Sequence, residues 1–102
     1  MRPLSISACS VLQALVAGAR YGFDVIDRTG LPSGTVYPAL SRLERDGCVA
    51  SAWESAEDAH AEGRPARRYY RVTAPGVQAL GAATRHYQSL LPALARPARE
   101  RA

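Results

Sequence analysis

Lysine is absent from the 102 residues, and Trp, Phe and Met occur once each. Cys9 and Cys48, the two cysteines, are too few for a disulfide framework. A reducing, cytoplasmic setting with both thiols free is therefore expected. No apolar run approaches the roughly 18 residues of a transmembrane helix, so no membrane partner is expected. The stretch 1–19 holds one Arg and an apolar segment, as a signal peptide does. Polar residues interrupt it, and its helical pattern runs on into the next element, so it reads as structural. There is no Ser–His–acid pattern, no Gly-rich phosphate loop and no Cys-x-x-Cys, so neither enzymatic activity nor a cofactor is expected. Large apolar residues are also scarce. Of the 48 apolar residues 19 are Ala, which leaves 29 for a core. That supports one modest domain, better stabilised by a partner subunit.

All 13 basic residues are Arg, against 9 acids, for a net charge of +4. Forked guanidinium groups suit bidentate contacts to phosphate or guanine, although a GC-rich genome produces the same bias. The charge is uneven: five Arg against four acids in 1–47, four against four in 48–73, and four against one in 74–102. The excess is mostly in the tail. Placement of arginines, not their total, must therefore carry any argument for a polyanion partner.

The apolar pattern predicts a first helix over 5–17, with Ile6, Cys9, Leu12, Leu15 and Val16 on one stripe. A second helix is expected over 21–28, with Phe23 and Ile26 facing in and Gly30 closing it. A third starts near Ser33 and ends before Gly47, with Val36, Leu40 and Leu43 as its core face. The short Gly-containing link between the second and third is helix-turn-helix geometry. The period then changes to two. Val49, Ser51 and Trp53, and later Arg68, Tyr70 and Val72, mark two strands of a hairpin, with Val49, Trp53, Tyr70 and Val72 toward the helices. A polar, Ala-rich loop over 57–65 joins them, and Thr73 caps a last helix over 75–91. The fold class is mainly α with a small β-hairpin: a winged helix-turn-helix over 1–73, a dimerisation helix over 74–91, and a flexible tail over 92–102. On the last helix Val77, Leu80, Thr84, Tyr87 and Leu91 recur at three-four-three-four. No other element of the chain is left to cover that seam, so a second copy is expected there.

Three stretches resemble one family. Tyr21-Gly22-Phe23-Asp24-Val25 opens the second helix. The sequence from Ser33-Gly34-Thr35-Val36-Tyr37-Pro38-Ala39-Leu40 through Arg42-Leu43-Glu44 to Gly47 forms the third. Gly63-Arg64, then Arg67-Arg68-Tyr69-Tyr70-Arg71-Val72-Thr73 and Gly76, leads from the wing into the last helix. Together they resemble the PadR family of bacterial transcriptional regulators. The resemblance implies a homodimeric repressor that binds double-stranded operator DNA, a single C-terminal dimer helix of the compact subfamily, and release by a small-molecule effector. Some relatives hold aromatic drugs between Trp residues of that helix; it has no Trp here, so that chemistry does not carry over.

A recognition helix enters the major groove with its N-terminal residues leading. Ser33, Thr35, Tyr37 and Ser41 are the expected phosphate or base-edge contacts, and Arg42 reaches phosphate or guanine. Arg42 and Arg45 have an alternative as surface partners of Glu44 or Asp46. Arg64 and Arg67 are expected along the DNA backbone, with pairing to Glu54 as the alternative. The alternation Asp58-Ala59-His60-Ala61-Glu62 reads as a solvated wing tip rather than a metal site, so no metal is expected. The second functional reading is a winged helix that binds protein, but the outward face of helix three, Gly34, Pro38, Ser41, Arg42 and Arg45, is polar and basic, which favours DNA.

Overall fold

The computed structural model describes residues 3–98. Helix α1 spans Ile6–Val16, α2 Gly22–Thr29 and α3 Ser33–Arg45; strand β1 spans Val49–Trp53, α4 Ala56–Ala61, β2 Arg68–Val72 and α5 Ala74–Leu94. Ser5 starts α1 by accepting the Ala8 N–H. The inward stripe of α1 is Ala8, Val11, Leu12, Ala14 and Leu15. Ile6 and Val16, expected on that stripe, are exposed, because at about 100° per residue Ile6 falls opposite Leu15 and Val16 falls to one side of it. Gly30 ends α2 in a left-handed conformation (φ 72°) that a side chain would strain. Val36, Leu40 and Leu43 turn inward from α3 as their spacing predicts, and Val25 of α2 meets them.

The strands pair antiparallel with Val49 opposite Val72, Ser51 opposite Tyr70 and Trp53 opposite Arg68. Val49 is buried, and Tyr70 and Val72 pack on the core. A third short segment joins the sheet: Tyr21 bridges Tyr69, and the Tyr70 N–H donates to the Arg20 carbonyl at 2.8 Å. The wing is thus tied to the start of α2. Thr73 caps α5 through the Gly76 N–H at 3.1 Å. The helix continues past Pro92 to Leu94, three residues into the expected flexible tail; residues 99–102 of that tail lie outside the described residues. Beyond Ala83, α5 buries no residue, although Tyr87 donates to the Leu4 carbonyl at 2.6 Å. Burial pushes the Cys9 and Cys48 thiols up, and at Cys48 the charge of Asp46 acts in the same direction. Both therefore behave as small apolar groups rather than as ready thiolates. No helix among the described residues is long and apolar enough to cross a membrane.

Candidate nucleic-acid interface

Since α3 turns one stripe inward, Gly34, Pro38, Ser41, Arg42 and Arg45 fall on the opposite side, and all five are exposed. Pro32 precedes the helix and offers no side-chain cap. The first bonds are made by the Thr35 and Val36 N–H groups to the Pro32 carbonyl. The Ser33 and Gly34 N–H groups are left with no partner among the described residues, pointing outward where an anion is favoured. Ser33 is exposed and Thr35 half-buried. Neither Arg42 nor Arg45 forms an ion pair among the described residues. The nearby Glu44 is taken instead by Ser51 and by Arg68 of β2, whose Nη2 stands at 2.7 Å. The Ser51 hydroxyl, with Arg68 second, holds the Glu44 carboxyl below its usual range.

Tyr37 is held in place from α2. Its ring lies across Gly22, the first residue of that helix, so closely that a Cβ there would overlap the ring and stand 2.7 Å from the phenolic oxygen. The first and second of the quoted stretches therefore meet in space, and Gly22 serves to seat Tyr37. Gly22→Ala is expected to push the Tyr37 ring outward. Affinity for a selected duplex should fall roughly tenfold while the melting temperature changes little, since the ring is free to move toward solvent. Unchanged affinity, measured by fluorescence anisotropy, would show that the ring position is irrelevant to binding.

The wing departs from expectation. The segment 57–65 is not a loop throughout: Ser55 accepts the Asp58 N–H, and α4 follows with Glu57 and Asp58 in its first turn. Asp58 and His60, two residues apart on a helix, point to different sides, so the one-faced alternation with Glu62 does not exist. Arg64 does not lie along an outer edge. Its guanidinium grips both Glu54 oxygens, Nη2 at 2.8 Å, and reaches Glu62 at 2.7 Å, leaving the side chain 18% exposed. Arg64 builds the wing. The Arg64 hydrogen bonds, then those from the Arg67 N–H and the Tyr69 hydroxyl, hold the Glu54 carboxyl down to about 2. A depressed carboxylate stabilises the fold fully above its ordinary value of 4.5 and loses that contribution progressively as pH falls from there through about 2. Arg67 makes no ion pair among the described residues; its guanidinium lies 4.2 Å from the centre of the Tyr21 ring. Of the two wing arginines expected on DNA, Arg67 remains available.

Between α3 and the wing lies a cleft of about 580 Å³. Tyr37 and Ser41 line one side, Trp53 and Arg68 the other, and Phe23 closes one end. Trp53 and Phe23 were both expected to face the helices, and both are exposed, at 67% and 70%. Trp53 does sit on the α3-facing side of the sheet, but β1 runs on past the core and carries it into the open. Phe23 lies on the first turn of α2, whose inward positions are Gly22 and Val25. Gly22, Phe23 and Trp53 are the neighbours of the recognition helix that periodicity alone does not reveal.

The sequence profile of the transcriptional regulator PadR-like family matches residues 11–82. No curated protein sequence matches. Among solved structures, a PadR family regulator from Clostridium difficile aligns with TM-score 0.74 at 19% identity, over 88% of this chain and 95% of that one. A PadR family regulator from Eggerthella lenta aligns at 25% identity, TM-score 0.67, over 82% and 76%. BpsR of Bordetella bronchiseptica, whose DNA binding is regulated by 6-hydroxynicotinic acid, aligns at 18% identity, TM-score 0.71, over 88% and 60%.

Proposed function

We propose, because this chain belongs to the PadR-like family of transcriptional regulators, that it works in the cytoplasm as a homodimeric repressor that grips double-stranded operator DNA and lets go when a small molecule binds. The observation that carries the DNA reading is the outward face of α3: two backbone N–H groups at its start and two guanidiniums farther along, Arg42 and Arg45, that have no partner among the described residues. Such a face suits phosphate and base edges and does not suit an apolar protein partner. Ser33, Thr35, Tyr37 and Ser41 lead into the groove, Arg42 follows, and Arg67 meets the backbone from the wing. The contribution of Arg64 is indirect, through the shape of the wing it holds.

The dimer reading rests on α5. Val77 and Leu91 of the seam are exposed, as are Leu90 and Leu94 outside it. Thr84 is exposed, Leu80 rests on the chain's own core, and Tyr87 is half-buried against Leu4. A groove of about 850 Å³ runs between α1 and α5, with Ile6, Cys9, Gln13, Leu80 and Leu91 among its walls. An effector seated there would set the angle between the dimer helix and the DNA-reading unit, and BpsR supplies the precedent for small-molecule control of DNA binding. The test is selection of a duplex from a random pool, followed by anisotropy titrations at several salt concentrations. Binding should weaken steeply with salt. Arg42→Ala is expected to cost roughly tenfold in affinity and to lower the salt slope by about one if it meets phosphate, or to relax preference at one base pair if it meets guanine. Failure to select any duplex at low salt would overturn the reading.

A further inference from the structure

We propose that Trp53 and Phe23 form a second, apolar reading surface that packs on the duplex beside Tyr37, against deoxyribose rings and thymine methyl groups. This rests on the DNA-binding reading above and adds to it a contact that charge does not supply. Four observations converge. Two of the largest apolar side chains in a chain short of them are left in water, at 67% and 70% exposure, while smaller residues fill the core. Both border the same cleft, whose other wall is the recognition helix at Tyr37 and Ser41. The Tyr37 ring, which lines the same cleft, is seated on Gly22 and leaves both side chains exposed. The flanking charge favours a polyanion: Arg67, which lines the same cleft, has no carboxylate partner among the described residues, whereas Arg68, 5.8 Å from the Trp53 ring centre, is already paired with Glu44.

Duplex DNA offers such a surface what it needs. Thymine presents a methyl group in the major groove, and the sugars form an apolar band between the phosphates. An aromatic ring pressed on either is removed from water, which strengthens binding without releasing counterions. Its contribution is therefore separable from that of the arginines. A protein partner would require the neighbouring α3 face to be apolar as well, and that face is polar and basic.

Trp53 is the single tryptophan of the chain, so its fluorescence reports on this surface alone. The experiment uses the full-length protein and the duplex it selects. On titration the Trp53 emission should shift to the blue and become shielded from iodide and acrylamide quenching. Trp53→Ala should weaken binding about tenfold with an unchanged salt slope. Trp53→Phe should restore part of the loss, and Phe23→Ala should repeat the effect. Because Trp53 is exposed, the alanine variant should melt as wild type does, which separates a lost contact from a lost fold. Deoxyuridine in place of thymidine distinguishes the two apolar surfaces. Weaker binding by wild type but not by Trp53→Ala assigns the methyl group; no change assigns the sugars. A Trp53 that stays equally open to quencher in a salt-sensitive complex, or a Trp53→Ala variant with wild-type affinity, overturns this proposal and leaves DNA binding standing. Absence of any duplex binding overturns both.

Discussion

Gly76→Ala should lower the melting temperature by on the order of 15 °C, the largest effect of any single added methyl group in this chain. Gly76 is buried in the first turn of α5. A Cβ there would overlap the Cys48 carbonyl oxygen and stand 2.9 Å from both its carbon and Val72 Cγ1. The obstructing atoms are mostly backbone, and that backbone is committed. The Cys48 carbonyl accepts the Thr73 N–H at 3.0 Å, and the Thr73 hydroxyl donates to the Gly47 carbonyl at 2.6 Å. The same hydroxyl caps α5. Relief therefore means lifting the start of α5 from the corner between α3 and β1, which loses the cap and loosens the Val49–Val72 pair. Overpacking of this kind costs about 1–3 kcal/mol and a lost cap about 1 more. Gly81→Ala is the control on the same helix. Its Cβ would meet only the far end of the Arg85 side chain, at 3.4 Å. Alanine there should be neutral or should stabilise by up to about 1 kcal/mol through helix propensity. Thermal unfolding followed by circular dichroism decides. Equal melting of the two variants would mean that close contact with Cys48 does not hold α5 in place.

What could be read from the sequence, and what could not, follows from range. The three-four spacing of Val36, Leu40 and Leu43 is local and decides which side of α3 faces out, so the outward face of α3 was legible in the sequence. The Thr73 cap and the Gly30 stop are local for the same reason. The cap at Ser55 was equally local, with acids two and three residues on, but the place of the segment between two strands of a hairpin pointed to a loop, against the helix propensity of Ala56, Ala59 and Ala61. Trp53 and Phe23 went the other way for a different reason. Apolar character predicts burial only where the core extends far enough, and periodicity does not record where the core ends. The grip of Arg64 on Glu54 spans ten residues of chain. Alternation allowed it as a cross-strand pair without choosing it over a DNA contact. The seating of Tyr37 by Gly22 joins two helices and is visible only when both are in place.

If the chain is the dimeric operator binder proposed above, a double variant, Val77→Glu with Leu91→Glu, should convert it to a monomer and reduce operator affinity by about a hundredfold or more. The two positions lie fourteen residues apart, two heptads along the seam, and both are exposed within one chain. The substitutions therefore leave the chain's own core untouched, and helical content should stay at the wild-type level. Across a two-fold interface each glutamate would be forced into apolar surroundings, near the partner's copies of the same charge, a penalty that association cannot recover. Leu80 is a poorer probe, because it also rests on the chain's own core and its loss would confound folding with assembly. Affinity falls because two linked half-site contacts become two independent ones. The second contact would no longer benefit from the effective concentration that a dimer joined through α5 provides. The expected pattern is a monomer by sedimentation at micromolar concentration, weak binding to a full operator, and equally weak binding to a half-site. A dimeric mass for the variant would place the interface elsewhere. A monomer that still held the full operator as tightly as wild type would mean that one copy suffices to read it.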